Sequence, residues 1–309
     1  MIKSIAQPCE DSINNLSRRF GNREKREDTM EKIRIITDSG SDILAPCPEN
    51  LTVIPLTIHF GQEEYRDGQD LSHREFFEKL ASCKDLPTTS LVPPGQFGEA
   101  FAKAEAAGET VIAIVLASKL SGTWQSAVLA AEDYENVYVV DSMNATLGEQ
   151  ILVKYALQLV EQGMGAKQIV EELERAKSHV VLTGIPDTLE YLHRGGRISK
   201  TVAVLGGALA IKPVLKLVDG VIIMIGKARG TKNAHNYLIQ EVRKSTIDFT
   251  KPFLLGCTGT SDAQLQRFIQ DSRELWQDWD GPVPTASIGA TIGTHLGPDA
   301  VLVTFFERF

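Results

Sequence analysis

The stretch TVIAIVLASKLSGTWQSAVLAAED (110–133), followed by NVYVVDS (136–142), decides how this chain folds. TVIAIVLAS (110–118) is an unbroken apolar run rich in β-branched residues, the pattern of a strand buried on both faces of a parallel sheet. SGTWQSAVLAAED reads as a helix with Ser121 at its cap, and NVYVVDS reads as the next strand. Strand, helix, strand is the unit of a parallel sheet covered by helices. Working toward the N-terminus, IRIITDS (33–39) and LTVIPLTIHF (51–60) read as two more strands. In PPGQFGEAFAKAEAAGE, Pro94 stands near a helix start, Phe97 and Phe101 are four apart, and Gly108 marks the stop. Working toward the C-terminus, Thr146 and Glu149 match a T-x-x-E capping box opening a helix to about Gly163. Residues 30–178 are therefore expected to form an N-terminal α/β domain with helices on both sides of a parallel sheet.

A helix at 166–177, a strand at 179–185 and a short helix, DTLEYLHR (187–194), follow. The character then changes to a run rich in glycine and small apolar residues. A strand at 221–227, a helix at 231–244, a strand at 253–258, a capped helix from Ser261 and a last strand at 300–306 complete the reading. The domain boundary is placed near residue 178, and 179–309 is expected to be a second α/β domain with a mixed sheet. Val202 to Leu217 fits either ordinary core or the lining of a deep apolar pocket, with Gly206 and Gly207 allowing close approach. Residues 1–29 are polar and charged, and are expected to be a poorly ordered extension.

The 309 residues carry 32 Lys and Arg against 40 Asp and Glu, a net charge of −8. That excess argues against a nucleic-acid partner, which calls for a basic face. Cys9, Cys47, Cys83 and Cys257 are widely spaced and include no CxxC pair, so a reducing, cytoplasmic setting is expected. No apolar run reaches the roughly 18 residues of a membrane span, so no stable membrane insertion is expected, and the start of the chain shows no secretory core. None of the six histidines pairs with another at ligand spacing, and no metal or cofactor is expected.

The common catalytic motifs are absent. GVIIMIGKA (220–228) has one residue too many between its glycines for a P-loop, GMGAKQ (163–168) lacks a third glycine, and HExxH and GxSxG do not occur. What remains is a set of hydroxyl-rich strand ends: TDSGSD (37–42), TTS (88–90), SKLSGT (118–123) and DS (141–142). In open parallel sheets, ligands bind beyond the carboxyl ends of the strands. Ser121 beside the free N–H groups of a helix start can serve an anion, although such a residue is equally an ordinary N-cap. His295, inside GTHLGP (293–298), is expected in a glycine-bracketed loop.

Seven segments in order carry a resemblance to the DegV family of bacterial fatty-acid-binding proteins. They are TDSGSD (37–42), TSLVPPGQF (89–97), SKLSGTWQSA (118–127), VVDSMNATLG (139–148), LEYLHRGGRISK (189–200), IKPVLKLVDG (211–220) and IGTHLGP (292–298). The resemblance implies two α/β domains holding a long-chain fatty acid, such as palmitate, stearate or oleate, in an apolar tunnel. It further implies a non-enzymatic acyl carrier, whose bound carboxylate is phosphorylated by a separate fatty-acid kinase subunit for phospholipid synthesis. By the same resemblance Thr89 and Ser121 hold the carboxylate, Arg229 and His295 lie near the head-group opening, and Arg197 is a further candidate for the partner-facing surface. The chain departs from the usual pattern at Leu91-Val92-Pro93, at Trp124 in place of tyrosine, and at Cys257-Thr258 where many members carry histidine. Two other readings fit the residue types: a serine hydrolase or acyltransferase using Ser121 with Asp141 and His295, and a stand-alone phosphotransferase.

Overall fold

The fold is taken from a computed structural model, which describes residues 31–199 and 210–309. The expected extension at 1–29, and Gly206 and Gly207 with the rest of 202–209, lie outside the described residues. β1 (Ile33–Asp38), β2 (Leu51–Ile54), β6 (Thr110–Val115) and β7 (Val137–Asp141) form a fully parallel sheet in the order β2-β1-β6-β7. The run at 110–118 thus becomes a strand one side of which packs on the Pro94–Ala106 and Thr123–Ala131 helices, with Phe97 and Phe101 fully buried.

The second sheet is mixed, in the order β10-β9-β8-β13-β11-β12: β8 (Val180–Ile185), β9 (Ile211–Val218), β10 (Val221–Arg229), β11 (Leu254–Cys257), β12 (Thr285–Ser287) and β13 (Val301–Phe306). β11 and β12 run parallel, and the other neighbours are antiparallel. β9 and β10 are a hairpin joined by Asp219 and Gly220, both at positive φ (49° and 75°). All strands of the first sheet precede residue 178 and all strands of the second follow it, while Lys32–Phe309 packs as one compact unit.

The Thr146–Glu161 helix lies between the two sheets. Leu147, Ile151, Leu152 and Tyr155 share one apolar cluster with Ile35 and Ile114 of the first sheet and Leu182 and Leu302 of the second. Burial all round from Thr146 to Val153 replaces the one-sided burial of a surface helix. Its entry corrects the capping-box reading. The cap position is Ala145, Thr146 sits at φ 50°, and its hydroxyl donates to Asp42 Oδ2 at 2.5 Å. Glu149 is wholly buried and accepts from Thr37 Oγ1 at 3.0 Å. A glutamate that reaches back to cap a helix needs a solvated first turn, and here that turn is interior.

LTVIPLTIHF is two strands rather than one. Pro55 has no N–H for a ladder, and the chain passes from β2 into β3 (Thr57–Phe60), the centre of a separate antiparallel sheet with β4 (Glu63–Arg66) and β5 (Thr88–Ser90). That small sheet carries Thr89, and packs on the His73–Ser82 helix through Phe60, Phe76 and Phe77.

Candidate functional site

A cavity of about 400 Å³ opens between the two large sheets. Its apolar wall comes from both halves of the chain: Leu56, Leu116 and Ala145 from the first, and Leu182, Leu215 and Leu302 from the second. The 202–217 stretch contributes Leu215 and Leu217 of β9, so its described end both joins the core and lines the pocket. Thr146 and Thr183 interrupt the apolar wall. The Thr146 hydroxyl is occupied by Asp42 and that of Thr183 donates to the Leu215 carbonyl at 2.8 Å, so neither presents a free donor.

Polar groups gather at one part of the lining. Thr89, at the middle of β5, places Oγ1 2.9 Å from His295 Nε2. His295 lies in the last turn of the Ala290–Leu296 helix, not in a loop as its glycine brackets suggest. Gly297 (φ 75°), seated against the Tyr191 ring, ends that helix. Burial, reinforced by the Arg197 charge, pulls the His295 imidazole down to about 4, so at neutral pH the ring is uncharged. Its Nδ1 is buried with no hydrogen-bond partner among the described residues. A neutral imidazole that donates from Nε2 leaves the Thr89 O–H free for an oxygen of a ligand.

Ser121 stands just ahead of the Thr123–Ala131 helix, whose cap position is Gly122, one residue later than the spacing suggests. Its Oγ accepts from Thr123 N–H at 3.2 Å and lies 2.9 Å from Thr123 Oγ1. The hydroxyl therefore sits at a helix start, already accepting from one of its N–H groups, and lines the cavity. Arg197 is also in the lining: Nε donates to the Leu120 carbonyl at 3.1 Å and Nη1 to Gly195 O at 2.5 Å. Partial burial lowers its pKa; an arginine remains charged all the same. Leu91 covers this end. It is 43% exposed, lines the cavity, and its Cδ2 lies so close to Gly122 that a Cβ there would meet it at 2.8 Å.

Thr89, Ser121, His295 and Arg197 are thus brought to one cavity. Arg229 is not among its lining residues; it ends β10 on the surface, its carbonyl held by Asn233. The hydrolase grouping is not assembled. Asp141 Oδ1 accepts from the Ser118 and Met143 N–H groups, Ser121 pairs with Thr123, and His295 faces Thr89. GVIIMIGKA runs along a hairpin strand, not a strand–loop–helix phosphate cradle. No group of metal-ligating side chains occurs among the described residues, and no described helix is long and apolar enough to cross a membrane. The residues that sequence patterns leave unmarked are the cavity-facing leucines of β8 and β13, Leu182 and Leu302, because alternation along a strand does not distinguish a cavity wall from core.

Comparisons with known proteins agree with this architecture. Residues 32–308 match the DegV family, described as "Uncharacterised protein, DegV family". A DegV domain-containing protein of Caldanaerobacter subterraneus is 36% identical over 300 residues, covering 90% of this chain and all of the relative. Among solved structures, a DegV family protein from Thermus thermophilus described for its fatty-acid binding superposes with TM-score 0.78 at 30% identity. It covers 90% of this chain and 100% of its own. A fatty-acid-binding DegV protein from Streptococcus agalactiae gives 0.79 at 25% identity with the same coverage. By the family match across nearly all of its length, and by a shared two-sheet α/β fold, this chain belongs to the DegV family.

Proposed function

We propose that this chain binds one long-chain fatty acid in the cavity between its two sheets and presents the carboxylate to a separate kinase subunit for acyl-phosphate formation. The observation that carries the reading is the cavity itself: a largely apolar wall with Thr89, Ser121, His295 and Arg197 collected in one part of it. The fatty-acid binding of the Thermus thermophilus and Streptococcus agalactiae proteins supports it. The kinase role rests on the family resemblance. Burying some fourteen methylenes is worth on the order of 11 kcal/mol at about 0.8 each, against an association cost of at least about 4. Tail burial therefore dominates retention. Hydrogen bonds from Thr89 and Ser121 to a carboxylate add about 1.5–3 kcal/mol each and fix which end faces the opening. In this reading the chain supplies no nucleophile; it binds and orients, and it is a carrier rather than an enzyme. The residues fixing the head group are Thr89 and Ser121. His295 holds the Thr89 hydroxyl, and Arg197 offsets part of the negative charge. Arg229, exposed at the end of β10 and outside the lining, keeps only the place near the opening that the family resemblance implies.

Mass spectrometry of a solvent extract of the purified, denatured protein tests this. One equivalent of a C14–C18 fatty acid is expected. Absence of lipid, together with failure to take up added palmitate or oleate, would refute the carrier reading, and a fluorophosphonate probe labelling Ser121 would favour the hydrolase.

A further inference from the structure

The Ala290–Leu296 helix contributes Thr291, Ile292, His295 and Leu296 to the cavity, four of its seven residues. None of its own side chains caps its start: the cap position is Gly289, with no side-chain oxygen of its own. The N–H groups there are taken by two carboxylates more than two hundred residues earlier in the chain. Asp42 Oδ1 accepts from Gly289 N–H at 2.7 Å, and Asp67 accepts from Ala290 and Thr291 N–H at 3.3 and 3.1 Å. Asp42 is 3% exposed and Asp67 4%. The other oxygen of Asp42 takes the Thr146 hydroxyl, so one carboxyl group ties the start of the His295 helix to the helix between the sheets. His73 closes the third side: its Nδ1 lies 3.3 Å from Ser287 Oγ, and a Cβ on Gly289 would fall 2.4 Å from its Nε2. Little room is left for the helix to start anywhere else.

We infer that Asp42 and Asp67 are positioning residues that hold the Ala290–Leu296 helix in the register that sets His295 Nε2 against Thr89. Neither belongs to the cavity lining; each acts through the helix. Asp42 Oδ1 needs only to accept and its Oδ2 faces a hydroxyl able to donate or accept, so a neutral amide can satisfy both contacts. An alanine satisfies neither. The consequence for lipid chemistry rests on the function proposed above. The positional claim does not.

The test is NMR titration of His295 in the purified full chain with Asp42→Ala, Asp42→Asn and Asp67→Ala. In the intact protein burial and Arg197 hold the ring at about 4. Removing a negative carboxylate from the neighbourhood lowers a histidine pKa through charge alone, and Asp42, whose carboxyl burial raises well above the ordinary range, carries little charge where His295 titrates. A helix that slips and solvates the ring raises it, toward the ordinary value of about 6.5. The two alanine variants are expected to raise the midpoint by at least about one unit, and Asp42→Asn to leave it in place. A core control, Ile169→Val on the Ala166–Ala176 helix, which packs on β6 and β7, is expected to leave it unchanged as well. If an alanine variant does not fold, Gly289→Ala, whose Cβ also falls 3.0 Å from Asp42 Oδ1, displaces the same helix start and is expected to raise the midpoint. A His295 midpoint still near the intact value in the folded alanine variants, or in Gly289→Ala, overturns the inference. So does loss of position in Asp42→Asn. Normal lipid content with a shifted His295 leaves the carrier reading standing, and absence of lipid in the wild type with the predicted shifts sinks only that reading.

Discussion

Replacing Glu149 with glutamine should change the pH dependence of stability by close to one proton. Glu149 is wholly buried; one carboxyl oxygen takes the Thr37 hydroxyl and the other has no partner among the described residues. Burial first, then the nearby Asp38, Asp42 and Asp141 charges, pushes its pKa well above the ordinary carboxyl range. A raised carboxyl binds its proton in the folded chain while the unfolded chain has released it. Its contribution is thus fully present below the unfolded value near 4.5 and declines as pH rises toward the folded one. Over that window the wild type loses about 1.4 kcal/mol per pH unit from this group. Glutamine keeps the acceptor for Thr37 and has no proton to bind. Glu149→Gln should therefore lose less stability than the wild type as pH rises above about 4.5, by up to about 1.4 kcal/mol per pH unit for as long as the folded group keeps its proton. Urea unfolding at half-unit pH steps measures this as a difference in slope. Parallel curves for the two proteins would refute the argument, because they would mean that Glu149 is already ionised in the folded chain.

Thr89→Ala and Ser121→Ala should each slow kinase-dependent phosphorylation by about 10- to 100-fold, the equivalent of one hydrogen bond to a charged group, while lipid recovered by extraction stays near one equivalent; equal loss of both quantities contradicts that division. Gly195→Ala, at a position outside the cavity lining, should disturb the site, since a Cβ there falls 2.2 Å from His295 Nδ1. The measurable result is an upward shift of the His295 titration in a protein that remains folded, and an unmoved His295 would mean that the 189–198 segment yields instead. Gly297→Ala places a Cβ 2.3 Å from the Tyr191 ring at a backbone φ of 75° and should lower stability by at least about 1 kcal/mol, read by thermal unfolding.

The parallel sheet is legible in the sequence because its central strands, β1 and β6, are buried on both faces, and a continuous apolar run as short and β-branched as TVIAIVLAS suits little else. Three features are not legible. Pro55 sits within an apolar decamer whose composition does not reveal that the chain changes sheets there. The Thr146–Glu149 spacing imitates a surface cap because local patterns carry no information on whether a first turn meets water, and here Glu149 points into the interior. IKPVLKLV (211–218) does not stand out as a strand because Pro213 and two lysines blur its alternation; it is recognisable only beside β10, its hairpin partner. The candidate site divides in the same way. Motifs mark Thr89 and Ser121, but the pairing of Thr89 with His295 spans 206 residues, and only the packing of the Ala290–Leu296 helix beside β5 creates it.

That pairing also limits what His295 can do. A ring held at about 4 by burial and by the Arg197 charge is a poor cation and a weak base at neutral pH. Its remaining capacity is the hydrogen bond to Thr89. Glutamine offers an amide nitrogen at a reach comparable to imidazole Nε2, with no titratable proton. If His295 serves by orienting the Thr89 hydroxyl, His295→Gln should keep phosphorylation within a few-fold of the wild type, whereas His295→Ala should lose about tenfold, the value of one neutral hydrogen bond. The pH–rate profile between pH 6 and 8 should also be the same for wild type and glutamine variant. If the ring instead carries a proton or a positive charge at the moment of transfer, glutamine and alanine should be equally damaging and the profile should lose a titration. The low folded pKa favours the first outcome, because holding a proton on that ring at pH 7 works against both the burial and the neighbouring guanidinium.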